Sequence, residues 1–266
     1  MKIAFIGGGN MGEVMVAAVL DRGLAKPGAV VVSDIAKARL NYLEKKYGVA
    51  TTTSNLRAAV KGEVVVLAIK PQNLPAVMAE LGGSFKPSQL VLSIIAGAKI
   101  KTLSGGLRYD AIVRVMPNTP ARIGEGISVW TANPGVSKKQ KEWAKAILGA
   151  MGKEVYVADE KYIDMATAIS GSGPAYFFLM VEALVEAATA IGLPRSLALE
   201  LVLETMLGSG HLVQRSGKAP AALRRMVTSP RGTTAAALEQ LNKGKFADLV
   251  KRAVKAAYNR ARELGG

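Results

Sequence analysis

Short runs of β-branched and aliphatic residues alternate, over the first part of the chain, with stretches whose apolar positions recur at helical spacing. The runs predict strands over Lys2–Gly7, Ala29–Asp34, Val64–Ala68, Leu90–Ile94, Ala111–Val115 and Gly126–Trp130, with a last short one over Glu154–Val157. Between them the pattern predicts helices over Met11–Arg22, Ala36–Tyr47, Asn55–Val60, Leu74–Leu81 and Ser137–Met151. Val64–Ile69 is apolar without a break, as expected of a parallel strand covered by helices on both faces. This alternation reads as a doubly wound α/β domain over residues 1–159. Beyond Asp159 the strand signal stops, and residues 160–266 read as an all-helical domain. Ser172-Gly173-Pro174 opens a helix that runs Ala175–Ile191 and stops at Gly192, with Pro194 just beyond. Further helices are predicted over Arg195–Arg215, Pro220–Val227, Thr234–Asn242 and Phe246–Leu264.

The helix Ala175–Ile191 is apolar almost all round, interrupted only by Glu182, Glu186 and Thr189. Such a helix needs burial on most sides, and a small helical domain can scarcely wrap it alone. A homo-oligomer whose helical domains pack together is expected, rather than a monomer that buries the helix on its own first domain. No membrane span is expected, because the unbroken runs Val64–Ile69 and Tyr176–Val181 stop far short of the roughly 18 residues required. No signal peptide is expected either, since Met1–Ile6 runs directly into Gly7-Gly8-Gly9; the cytoplasm is the expected location.

Composition narrows this picture in three ways. Apolar residues make up 50% of the 266 and charged residues 21%, which excludes disordered and fibrous classes. The 35 basic and 20 acidic residues leave a net +15, distributed as +10 over 1–159, −4 over 160–210 and +9 over 211–266. A surplus so dispersed, with few aromatic side chains to stack on bases, describes a solvated surface attractive to small anions rather than a nucleic-acid site. Lys138-Lys139-Gln140-Lys141 reads in the same way, as the wet face of a helix. Finally, there is no cysteine and only one histidine, His211, which excludes thiol chemistry and a His-rich metal site within one chain.

The first predicted strand ends in Ile6-Gly7-Gly8-Gly9-Asn10-Met11-Gly12 and is followed by a helix. Gly7, Gly9 and Gly12 occupy the three positions of G-x-G-x-x-G: one for the tight turn, one for close approach to a pyrophosphate, one for helix–strand packing. A second strand ends in Asp34, 22 residues past Gly12, where an acid accepts from the ribose 2′-hydroxyl of NAD. Ser33, Lys37 and Arg39 lie close enough to serve a 2′-phosphate instead, and Asp34 could equally cap the following helix. NAD and NADP both stay open at this point.

The layout resembles that of β-hydroxyacid dehydrogenases, which carry a catalytic lysine in the helical domain, but no lysine occurs between Lys161 and Lys218. Five segments point elsewhere: Ile6–Met11, Ala68-Ile69-Lys70-Pro71, Met116-Pro117-Asn118-Thr119-Pro120, Ser170-Gly171-Ser172-Gly173-Pro174-Ala175-Tyr176, and Met226–Thr234 followed by Ala235-Ala236-Ala237-Leu238-Glu239. In that order, over essentially the whole chain, they resemble the pyrroline-5-carboxylate reductases, enzymes of the last step of proline synthesis. One departure is Arg231, where that family commonly has glycine.

The resemblance implies NAD(P)H-dependent reduction of a cyclic imine, 1-pyrroline-5-carboxylate, to L-proline, by homodimers that sometimes gather into larger rings. It places Ala68–Pro71 with Asn55, Ile94, Ile95 and Ala96 against the ribose and nicotinamide half of the cofactor. Met116, Pro117 and Asn118 follow a strand and are expected to line the cleft, and Ser172 and Gly173 to floor it or cap the helix. Thr228-Ser229-Pro230-Arg231-Gly232-Thr233-Thr234 is a hydroxyl- and glycine-rich entry to a helix, suited to a carboxylate, with an ordinary helix cap as the bland alternative. Thr228, Ser229, Gly232, Thr233 and Thr234 are the substrate-binding candidates, and Thr234 is the catalytic candidate, with its hydroxyl expected near the imine nitrogen. Glu182 and Glu186 read as solvated or subunit-pairing carboxylates, and His211 as no more than a weak candidate base. Rival readings are a reductase of a related cyclic imine or keto acid, and a non-catalytic nucleotide-sensing or nucleic-acid-binding protein.

Overall fold

The computed structural model describes residues 1–265. The chain forms two compact units: Met1–Ser172 with the C-terminal segment from Ala257 onward, and Gly173–Ala256. The division read from the sequence after residue 159 marks where strands end; the units part later, at Ser172, because the first helix beyond the sheet still packs with the sheet.

In the first unit β1 (Ile3–Ile6), α1 (Asn10–Asp21), β2 (Val30–Ser33), α2 (Lys37–Tyr47), β3 (Ala50–Thr52), α3 (Asn55–Ala59), β4 (Val64–Leu67), α4 (Leu74–Leu81), β5 (Leu90–Ser93), α5 (Ile100–Leu107), β6 (Ile112–Met116), β7 (Gly126–Ala132), α6 (Lys138–Gly149) and β8 (Gly152–Tyr156) follow in turn. The eight strands form one sheet in the order β3-β2-β1-β4-β5-β6-β7-β8. Period-two alternation fills both faces: Ile3, Phe5, Val64, Val66, Leu90 and Leu92 join one core with Met15 and Val19 of α1 and Ile147 of α6. Ala4, Ile6, Val65, Leu67 and Val91 join the other, with Leu74 and Leu81 of α4 and Leu103 and Leu107 of α5.

The doubly wound expectation holds with one reversal: β6 and β7 pair antiparallel. Only the 3₁₀ turn Thr119–Ile123 lies between these strands, and a parallel return needs a crossover of a dozen or more residues. Element ends shift by a residue or two from those predicted. β3, α5 and α7 (Lys161–Ala166) are additional, and α7 continues through a π turn, Thr167–Gly171, into α8 (Gly173–Ala190).

The second unit holds α8, α9 (Arg195–Ser216), α10 (Pro220–Met226), α11 (Thr233–Lys243) and most of α12 (Phe246–Glu263). Gly192, at φ +101, turns the chain out of α8 as expected. Among the described residues only Val185 and Ala198 of this unit's apolar side chains are buried. Phe177, Phe178 and Leu179 are 61%, 59% and 65% exposed. The expectation about membrane spans needs correction: Lys161–Ala190 and Arg195–Ser216 are long and apolar enough to cross a bilayer. Counting unbroken runs missed them, because a helix averages its few polar residues over the whole window.

Candidate functional site

The chain reverses its winding direction between β2 and β4, on either side of β1, and the glycine-rich loop leaves β1 at that switch point. The Gly7 N–H donates to the Ser33 carbonyl (2.8 Å), and the Ala68 N–H to the Ile6 carbonyl (2.8 Å). Gly7 takes φ +102, and a Cβ there would lie 2.6 Å from the Ala68 carbonyl oxygen; a Cβ on Gly12 would lie 2.4 Å from the Gly7 oxygen. A Cβ on exposed Gly9, by contrast, would meet nothing within 4 Å, so the loop backbone is open to an approaching group. Gly9 is the N-cap of α1 and no side chain caps that helix, which leaves the amides around Asn10, Met11 and Gly12 directed at an incoming anion. The residues present therefore fit a dinucleotide pyrophosphate.

The remaining predicted cofactor residues also follow the carboxyl ends of strands. Ser33, ending β2, is fully buried and donates to Asn55 Oδ1 (2.8 Å). The Asn55 amide donates in turn to Glu80 (2.7 Å). Ala68 and Ile69 follow β4 and are half-buried, Pro71 starts a 3₁₀ turn, and Lys70 is exposed. Ile94 and Ala96 are half-buried beyond β5, whereas Ile95 is buried in the core and its N–H donates to Ser93 Oγ (3.3 Å). Met116 ends β6, followed by buried Pro117 and Asn118, and Asn118 Oδ1 accepts from the Ile127 N–H (2.9 Å). Asn118 thus has a structural task, fixing the start of β7. Asp34 accepts from two backbone amides, Gly8 N–H at 2.8 Å and Ala36 N–H at 2.9 Å. It ties the glycine loop as well as the approach to α2.

Two charged clusters in this unit escaped the sequence reading. Glu13, buried just past the fingerprint, accepts from Arg39 of α2, Tyr42 (3.0 Å), Lys46 (2.9 Å) and Tyr47 (2.9 Å). The spacing of Arg39, Tyr42 and Lys46, three and four residues apart on one helix face, was the available signal. Burial works against a charged Glu13, but the hydrogen bonds from Lys46, Arg39, Tyr47 and Tyr42 outweigh it and hold its pKa at about 2, against an ordinary 4.5. The folded pKa lies below the unfolded one, so the stabilisation is present above about pH 4.5 and is lost as the pH falls towards 2. Glu13→Gln is expected to lower the unfolding free energy at neutral pH by on the order of 1–3 kcal/mol. In denaturant titrations the gap from the parent should close as the pH falls across that window; a gap independent of pH would contradict the assignment. The second cluster is Arg114, 2% exposed on β6, which donates to Glu160 (2.9 Å) and Asp164 (2.5 Å).

In the second unit the loop between α10 and α11 is shaped by its own backbone. The Thr228 hydroxyl donates to the Arg224 carbonyl (2.6 Å), and the Gly232 N–H to the Ser229 carbonyl (3.1 Å). Gly232 is the N-cap of α11, and no side chain caps that helix. An ordinary cap, the bland alternative, would have used one of the loop hydroxyls for this purpose. Instead Ser229 and Thr233 are exposed, Thr234 is half-buried in the first turn, and the uncapped amides of that turn suit a carboxylate. Arg231 sits at φ +61, the left-handed region that favours glycine, with its side chain exposed. Ser172 is half-buried, its N–H donating to the Thr167 carbonyl (2.8 Å) as the π turn closes, and Gly173 is buried at the start of α8. His211, Glu182 and Glu186 are exposed on their helices. Among the described residues no cluster of carboxylates or histidine could hold a metal ion.

Two family models match the chain: pyrroline-5-carboxylate reductase dimerisation over residues 160–264, and NADP oxidoreductase coenzyme F420-dependent over residues 2–97. A pyrroline-5-carboxylate reductase of Synechocystis is 42% identical over 266 residues, covering 100% of this chain and 98% of that one. The structure of a pyrroline-5-carboxylate reductase from Coxiella burnetii matches with a TM-score of 0.89 and 38% identity, over 100% of this chain and 98% of the other. A Plasmodium falciparum pyrroline carboxylate reductase with NADP bound matches with a TM-score of 0.92 and 32% identity, again over 100% and 98%.

Proposed function

The chain belongs to the pyrroline-5-carboxylate reductase family, and from that premise we propose that it reduces 1-pyrroline-5-carboxylate to L-proline with NADPH or NADH. The observation that carries this reading is the full-length likeness to such reductases, with the hydroxyl-rich Thr228–Thr234 loop intact ahead of an uncapped helix. That loop also counts against a purely sensing or nucleic-acid-binding role, which has no use for a carboxylate cradle.

When bound, the nicotinamide supplies a hydride to the imine carbon. Residues 1–159 form the dinucleotide-binding domain: the loop Ile6–Gly12 holds the pyrophosphate, Ser33 and Asp34 face the adenosine side, and Asn55, Ala68–Pro71, Ile94–Ala96 and Met116–Asn118 face the ribose and nicotinamide. Residues 160–266 form the substrate and dimerisation domain. There Thr228, Ser229, Gly232 and Thr233 hold the substrate carboxylate, with Ser172 and Gly173 flooring the cleft. Thr234 donates from its hydroxyl to the imine nitrogen and relays to it a proton from water, which the product amine keeps.

The apolar surface of α8 and α9 is covered by a second copy of the chain rather than by lipid. The family's dimerisation model spans both helices, and Glu182 and Glu186 lie exposed midway along α8, where hydrocarbon would be costly. Dimers gather into a larger ring, and the enzyme works in the cytoplasm without nucleic acid.

The test is oxidation of NADPH and of NADH on adding pyrroline-5-carboxylate, alongside a six-membered imine analogue. Turnover with the five-membered substrate is expected to dominate; preference for the analogue would move the chain to the related-imine reading, and no oxidation would favour sensing. Sedimentation of the same preparation separates dimer from ring.

A further inference from the structure

NADH and NADPH differ only at the adenosine 2′ position, which doubly wound domains meet at the end of β2. The sequence offers Ser33, Lys37 and Arg39 as partners for a 2′-phosphate, and the structure withdraws two of them. Ser33 is fully buried, and its hydroxyl is committed to Asn55 Oδ1 at 2.8 Å and the Phe5 carbonyl at 3.4 Å. Arg39 is turned back towards the loop: Nε donates to the Gly8 carbonyl, and Nη2 to the Glu13 carboxylate and, at 3.4 Å, to the Gly9 carbonyl. Its guanidinium is held by Glu13 and by the loop backbone. Lys37 remains, exposed on a long flexible stem at the first residue of α2.

Asp34, in contrast, is pinned. Oδ2 accepts from Gly8 N–H and Oδ1 from Ala36 N–H, which fixes the carboxylate beside the glycine loop, and each oxygen keeps lone pairs for a further donor. We infer that Asp34 selects NADH over NADPH: its immobile carboxylate accepts the ribose 2′-hydroxyl and repels a 2′-phosphate that no engaged arginine offsets. The inference rests on the reading of the chain as a nicotinamide-dependent reductase. A fixed carboxylate cannot swing away from the phosphate, because doing so would release two backbone amides, one of them in the pyrophosphate loop itself.

The test is direct titration of the full-length protein with NADH and with NADPH, followed by cofactor fluorescence, without substrate. NADH is expected to bind about tenfold or more tightly, the ratio that one repulsive charge contact sets. In Asp34→Asn, which keeps an acceptor for Gly8 N–H, and in Asp34→Ser, the ratio should fall to near unity, chiefly through tighter NADPH. Competition by AMP against 2′-AMP on the parent protein reads the same preference with no variant at all. Equal or tighter binding of NADPH by the parent overturns the inference, as does an unchanged ratio in both variants. Failure of the reductase reading looks different: the binding ratio persists while pyrroline-5-carboxylate drives oxidation of neither cofactor.

Discussion

Thr234→Ala lowers turnover of pyrroline-5-carboxylate by roughly 10- to 1000-fold, the range spanned by loss of one positioned donor. The hydroxyl lies in the first turn of α11, whose N-cap is a glycine and whose amides no side chain occupies. No lysine lies between Lys161 and Lys218, and His211 is exposed on α9. A threonine hydroxyl is a poor acid in isolation, so its contribution is donation along a fixed direction and relay of a proton from water. An imine that arrives already protonated needs less help, which sets the lower end of the range and makes the loss shrink at acid pH. Thr234→Ser should retain most of the rate, and the dissociation constant for the dinucleotide should hold in both variants, because the fingerprint lies in the other unit. Normal turnover and normal KM in Thr234→Ala would reduce the residue to a helix-start threonine.

The second large effect is on stability. Arg114→Leu is expected to lower the unfolding free energy by about 3–5 kcal/mol, because breaking a buried ion pair from one side strands the other charge. The two carboxylates are not equally exposed to this. Glu160 also accepts from the Ile100 N–H at 2.8 Å and its side chain is 32% exposed, so it keeps a partner and some water. Asp164, 12% exposed, is left with a buried charge. Adding Asp164→Leu to Arg114→Leu should therefore recover more than half of the loss, whereas adding Glu160→Gln should recover little. The Arg114 Nε already lacks a partner, which tells against a cluster tuned for maximal stability and for one that holds α7 in a single place against β6. Denaturant titrations of the two double variants measure this asymmetry; equal recovery by both would refute it.

What could be read from the chain beforehand follows from which residues carry a periodic signal. β1, β4 and β5 declare themselves because both of their faces are buried, so every position is apolar. β3 escapes because Ala50-Thr51-Thr52 is a short, partly exposed edge, and α5 because Gly105-Gly106 breaks its pattern. α7 and the π turn hide in a stretch where Asp164 faces inward to meet Arg114, so the buried face does not read as apolar. The reversed pairing of β7 depends on a link too short for a crossover, a matter of chain length rather than composition. At the site, the glycine spacing and the hydroxyl run were legible as local motifs. The bond from Gly8 to Asp34 and the partners of Glu13 were not, since those contacts join residues more than 20 positions apart.

The last helix has a practical consequence for anyone who would dissect this protein. α12 begins among the residues of the second unit, yet from Ala257 the chain is counted with the first. There Leu264 presses on Gly97, where a Cβ would come 2.6 Å from its carbonyl carbon, in the turn just after Ile94–Ala96. The first compact unit is thus a discontinuous piece of polypeptide. Truncation at Ser172 removes a wedge from beneath the turn proposed to face the cofactor, and grafting a foreign helical module onto residues 1–172 succeeds only if the graft hands back the native tail.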